Sequence, residues 1–269
     1  MGAPTIAVFD SGFGGLTVLR ELLPLIPGAH FLYLGDTARL PYGSKSQVTI
    51  ARYAVESARF LESHGADHLV IACNTATALA LPEITASVHI PVTGVIQPVV
   101  QTTRDNYPHS DTLILATTAT VQSHAYRTLC EEYSLQPTEK ACPLLVPLIE
   151  EGWIDHPVTR DVLRIYLREA LELCSPKVVI LGCTHYPLIA PLVSEILTEL
   201  GSTAAVVDSA RATAEAVAHH YQDHRLSADI STHATFSCYA TDSIEKFARL
   251  GSQFLGQPIP HVELLDLGG

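Results

Sequence analysis

Two cysteines stand in matching settings in the two halves of the chain. Cys73 lies in VIACNTAT and Cys183 in VILGCTHYP, each after a β-branched apolar run and just before Thr-containing residues. A thiol with an ordinary pKa near 8.5 needs little help to take or give a proton close to neutrality. Two thiols in such similar contexts therefore suggest one site that works with a pair of facing acid–base groups. A single buried cysteine is as readily a small core residue, and it is the pairing that argues for chemistry. Cys130, Cys142, Cys174 and Cys238 lack the pattern, and no CxxC or CxxH spacing occurs. They read as ordinary core or surface thiols.

The elements that must position the pair follow from the runs around them. LVIA and VVIL read as buried parallel strands with helix-compatible sequence behind them, so each thiol is expected at the carboxyl end of a strand beside a helix N-terminus. Open α/β sheets bind their ligands there, and the backbone N–H groups of a helix start favour a thiolate or a substrate carboxylate. A third segment, IAVFDSGFGGLTVL, predicts a strand ending at Asp10 and a tight Ser11–Gly15 turn into a helix. It fails as a dinucleotide fingerprint, because the third glycine of GxGxxG falls on Thr17, and no P-loop lysine follows. Its glycines instead let the backbone approach a small ligand, leaving Asp10 to orient an ammonium group or a thiol, or simply to cap the helix.

TIAVFD, HFLYLG, HLVIA, PVTGV, TLILAT, KVVILG and AAVVD read as strands, alternating with helices at 47–63, 123–132, 161–173 and 190–200. The alternation predicts an α/β fold of two similar domains with mostly parallel sheets, each supplying one cysteine, and an active site in the cleft between them. The expected division is 1–97 plus 208–269, with Asp10 and Cys73, and 98–207, with Cys183. The 269-residue chain carries a net charge of −12 and no Lys/Arg cluster, which argues against a nucleic-acid surface. No run approaches the ~18 apolar residues of a membrane span. No signal peptide precedes the first strand, so a reduced, cytoplasmic setting with free thiols is expected. An anionic substrate must be held by local N–H and hydroxyl donors, since the overall field repels it. His219, His220 and His224 share a helical stretch without an accompanying HExxH-like pattern, and read as a solvated helix rather than a metal site.

FDSGFGGLTVL, GDTARLPYGSKS, ACNTAT, VPLIEEG, LGCTHYPL and SCYATDSIEKFARLGSQFLG occur in this order over nearly the whole chain. Together they resemble the glutamate racemases, within the wider aspartate/glutamate racemase superfamily that shares the two-cysteine plan. The resemblance implies interconversion of L- and D-glutamate, as supply for peptidoglycan, with no cofactor and no metal. One cysteine would remove the Cα proton while the other protonates the opposite face, Cys73 acting on the D-isomer and Cys183 on the L-isomer. It places substrate contacts on Asp10, Ser11, Tyr42, Gly43, Asn74, Thr75, Thr184 and His185, with Thr120 as a further contact or a helix-start residue. Asp10 and His185 would tune the thiols, Glu150 would assist unless Glu151 serves instead, and a homodimer is implied. Aspartate racemisation, a nucleotide-dependent oxidoreductase and a non-catalytic amino-acid-binding protein are the competing readings.

Overall fold

The structure is a computed structural model, and it describes residues 3–223 and 233–267. In chain order the elements are β1 (Thr5–Asp10), α1 (Leu16–Leu25), β2 (His30–Gly35), α2 (Gln47–Ser63), β3 (His68–Ile71), α3 (Asn74–Ser87), β4 (Val92–Gly94), α4 (Ile96–Asn106), β5 (Asp111–Ala116), α5 (Thr118–Ser123) and α6 (Ala125–Glu132). They continue with β6 (Gln136–Ala141), α7 (Leu145–Glu150), α8 (Pro157–Leu171), β7 (Val178–Gly182), α9 (Ala190–Glu199), β8 (Ala205–Asp208), α10 (Ser209–Asp223), β9 (Thr235–Ala240), α11 (Ile244–Leu255) and β10 (Val262–Leu264). Short 3-10 turns cover Thr37–Arg39, Tyr42–Ser44 and Tyr186–Ile189. No helix of the described residues is long and apolar enough to cross a membrane.

Two compact units result, Met1–Val95 with Ala210–Gly269, and Ile96–Ser209. The first holds a six-stranded sheet in the order β10-β9-β2-β1-β3-β4, the second a four-stranded sheet in the order β6-β5-β7-β8. Every strand pair in both is parallel. Parallel strands need helical crossovers that cover both faces. The central strands are accordingly apolar along most of their length, with Ile6–Phe9, Leu69–Ile71, Leu113–Ala116 and Val178–Leu181 all fully buried.

Strand order decides where the chemistry goes. In the first unit the chain steps from β1 to β2 on one side, then returns to place β3 on the other side of β1. In the second it steps from β5 to β6 and returns to place β7 beyond β5. Each return opens a crevice at the carboxyl ends of the split strands, β1 beside β3 and β5 beside β7. Cys73 and Cys183 lie just past the ends of β3 and β7, so their similar sequence settings reflect the same place in two similarly wound sheets.

Several elements depart from the sequence reading. The helix expected over 123–132 is broken at His124, which takes a left-handed conformation (φ 55°) and ends α5 before α6 begins. The 161–173 helix starts earlier, because His156 caps it and Pro157 occupies the first turn. Behind Cys183 comes a 3-10 turn rather than an α-helix start, with Pro187 and Pro191 lacking the N–H groups a regular helix would use. β6 carries no apolar strand pattern, because QPTEKA is a polar strand at a sheet edge.

Helix α10 is not the solvated helix expected from its histidines. Ala214, Val217 and Tyr221 are buried, and the His220 ring meets that of His68 edge-on at 5.2 Å. His219 is exposed, while His224 lies outside the described residues. His68, in β3, is buried with its Nε2 2.8 Å from Thr93 Oγ1. Burial first and His220 second push its pKa down to about 4. The unfolded chain takes that proton near pH 6.5, so the folded state does not lose stability through His68 above this pH. Stability is expected to fall as the pH drops from about 6.5 to about 4, by up to roughly 3 kcal/mol. Thermal melting across that range checks this, and His68→Leu should flatten that part of the profile.

Candidate functional site

In the first unit the carboxyl ends of β1 and β3 run side by side, with Phe9 opposite Ile71 and the Ala72 N–H donating to the Phe9 carbonyl at 2.8 Å. Asp10 ends one strand and Cys73 follows the other; they are 1% and 5% exposed. Cys73 is the N-cap of α3, its sulfur accepting the Ala76 N–H at 3.4 Å. Asn74 and Thr75 fill the first helical turn and are buried. The Cys73 thiol points to Ser11 Oγ at 3.5 Å. Asp10 Oδ2 accepts the Gly12 N–H at 2.9 Å, folding the turn back over the carboxylate. Gly15 is required there: a Cβ on it would sit 2.5 Å from the Asp10 Cβ and 2.9 Å from the Ala72 Cβ.

The sequence reading expected the helix start to favour the thiolate, so that little help is needed for a base near neutral pH; at Cys73 the structure shows the opposite shift. Burial, with the Asp10 carboxylate second, pushes the thiol up to about 12, against the lowering hydrogen bonds from Ser11 and Ala76. Desolvation disfavours the thiolate more than one helix terminus favours it. The Cys73 thiol is therefore protonated in the free protein at neutral pH.

Tyr42 and Gly43 lie in the Tyr42–Ser44 turn, beyond the cis Leu40–Pro41 peptide. The Tyr42 side chain is buried and its hydroxyl donates to Asp36 Oδ2 at 2.6 Å, which leaves backbone groups of this turn, rather than the phenol, for a ligand. Asp36 also accepts the Thr241 hydroxyl at 2.9 Å and faces Arg39, whose guanidinium pairs with Glu56 at 2.9 Å. Burial raises the Asp36 carboxyl, with Tyr42, Arg39 and Thr241 pulling it back. This network was not singled out in the sequence, although the GDT of GDTARLPYG marks its centre.

In the second unit, Ala116 pairs with Gly182, so Thr117 and Cys183 leave adjacent strands. Cys183, Thr184 and His185 are all 6% exposed or less. His185 Nδ1 lies 3.9 Å from the Cys183 sulfur and its Nε2 3.1 Å from Glu150 Oε1. Burial alone would pull this histidine down; the hydrogen bonds and charges of Cys183 and Glu150 outweigh it and raise the imidazole to about 10. It is thus an imidazolium at neutral pH, donating through both ring nitrogens. Between the two candidate acids, Glu150 reaches His185, whereas Glu151 is an exposed residue at the end of α7. Thr120 is fully buried with its hydroxyl 2.9 Å from that of Thr117, which caps α5 by accepting the Thr120 N–H. That geometry carries the helix-start role.

Each unit thus sets one buried cysteine just past a central strand end, with hydrogen-bonding groups close to the sulfur. The chain belongs to the Asp/Glu/hydantoin racemase family, whose model matches residues 17–217. Within it, the chain is 48% identical to the glutamate racemase of Koribacter versatilis, over 99% of this chain and 98% of the relative. Its fold is similar to the crystal structures of two further glutamate racemases. That from Thermus thermophilus, in complex with β-chloro-D-alanine, is 39% identical with a TM-score of 0.86, over 98% of this chain and 97% of that one. The other, from Francisella tularensis in complex with D-glutamate, is 31% identical with a TM-score of 0.88, over 99% and 98%.

Proposed function

We propose that this chain interconverts L- and D-glutamate without a cofactor, with Cys73 and Cys183 as the two proton-transfer groups. The observation that carries the reading is that each unit sets a buried cysteine just past a central strand end with a hydrogen-bonding partner on its sulfur, Ser11 for Cys73 and His185 for Cys183. Cys73 is held protonated by burial and Asp10, while Cys183 has the imidazolium of His185 beside it. A racemase needs one base and one acid at the outset, on opposite faces of Cα. Glutamate binding would fall to Asp10 and Ser11, the backbone of Tyr42 and Gly43, Asn74, Thr75, Thr184 and His185, with Glu150 orienting His185. Buried N–H and hydroxyl donors, with water excluded, would stabilise the charge that grows on the α-carboxylate as the proton leaves. Supply of D-glutamate for peptidoglycan, a cytoplasmic location and a homodimer belong to the same reading; light scattering of the purified protein checks the dimer.

The deciding experiment incubates the reduced protein with L-glutamate in D2O, with L-aspartate in parallel, followed by proton NMR and chiral analysis. D-glutamate carrying deuterium at Cα is the expected product. Aspartate turnover in its place would move the chain to the sibling activity, and binding without exchange of either substrate would leave an amino-acid-binding protein.

A further inference from the structure

We propose that Tyr33 is a positioning residue for the Cys73 centre: its hydroxyl anchors the Gly12 carbonyl and thereby holds Ser11 against the Cys73 sulfur. Tyr33 lies in β2 opposite Val8 of β1, and its ring is fully buried, 5.9 Å from that of Phe247. Its hydroxyl donates to the Gly12 carbonyl at 2.9 Å. A phenylalanine would pack in the same slot, and a buried hydroxyl is costly unless it is bonded, so the oxygen is informative. The same oxygen accepts the Leu16 N–H at the start of α1, so its bonds go to the turn that carries Ser11 and to the helix that the turn leads into.

That turn needs an anchor. Ser11-Gly12-Phe13-Gly14-Gly15 contains three glycines, each of which gives up more backbone freedom on ordering than any other residue. The peptides after Ser11 are gripped in succession: Asp10 accepts the Gly12 N–H at 2.9 Å, and Tyr33 donates to the Gly12 carbonyl. The end of β2 presses on the same carbonyl, since a Cβ on Gly35 would come within 2.3 Å of it. Ser11 stands immediately upstream, bonded to Cys73 through its hydroxyl and its backbone. Burial, followed by the Asp10 charge, raises the phenol well above its ordinary value, so it remains a donor at every working pH.

Tyr33→Phe deletes the one donor and keeps the ring. The readout is iodoacetamide alkylation against pH, resolved by peptide mass spectrometry at Cys73 and Cys183 of the same molecules. Ser11 hydrogen bonds favour the Cys73 thiolate, so loosening them should slow alkylation of Cys73 about 5- to 10-fold below pH 9, as for one lost hydrogen bond. Cys183, in the other unit, should change less than twofold. Ser11→Ala should slow Cys73 at least as much, and Tyr33→Phe should add less than twofold in that background. An unchanged or faster Cys73 rate in folded Tyr33→Phe overturns the role; so does an unchanged rate in Ser11→Ala, even if Tyr33→Phe does not fold. The significance for catalysis rests on Cys73 being a proton-transfer group. Alkylation needs no turnover, so a parent that alkylates as expected but racemises nothing would refute the racemase reading and leave the Tyr33 contact standing.

Discussion

Cys73→Ser and Cys183→Ser are each expected to lower racemisation by roughly 10³-fold or more, the upper range for removing a positioned acid–base group. A serine hydroxyl is close in volume to the thiol and can cap α3 as the Cys73 sulfur does, so melting should change little. A more discriminating result lies in isotope exchange. With one thiol left, the remaining base can still remove the Cα proton of the enantiomer it faces and return a deuteron to the same side. Cys73→Ser should therefore wash deuterium into L-glutamate alone, and Cys183→Ser into D-glutamate alone, without inversion. Full racemisation by a folded Cys183→Ser protein would sink the two-thiol mechanism, and exchange of both enantiomers by either variant would point to one base serving both faces.

His185 carries the second large effect. Its imidazolium bridges Cys183 and Glu150, and both partners raise it to about 10 against the opposing pull of burial. Replacing it with Gln removes the imidazolium beside the Cys183 sulfur, and a fall in kcat of about 10²-fold is expected. The sign of the pH dependence follows from the same shift. A group raised in the folded state stabilises that state fully below its unfolded value near 6.5, and the contribution disappears as the pH rises through about 10. The parent enzyme should lose activity through about pH 10, with stability declining over the alkaline range as well. His185→Gln should be slow throughout and lack that limb. A pH–rate profile for parent and variant, with melting measured in the same buffers, tests both; an alkaline limb that survives in His185→Gln would assign it to another group.

Local sequence determined a good deal. The apolar runs specified the central strands because buried parallel strands need continuous β-branched residues, a pattern that needs no knowledge of the neighbours. Helix α2 was legible from end to end, since Ser46 caps it and its apolar spacing is regular. The two cysteines and the Asp10 turn were legible because rare residue types recur beside strand ends. What local pattern missed was decided by distant parts of the chain. QPTEKA is a strand because β5 offers it an edge, and His220 is packed because β3 places His68 beneath it. Glu150 rather than Glu151 serves His185 because of where α7 ends. The Cys73 thiol lies far above its ordinary value because tertiary burial strips it of water, which no flanking motif encodes. Tyr33 reads in sequence as one more core aromatic, and only the parallel pairing of β2 with β1 brings its hydroxyl to the Gly12 carbonyl. Residue type and spacing thus chose the chemistry, while strand order, burial and contacts across the sheet chose the protonation states and the supports.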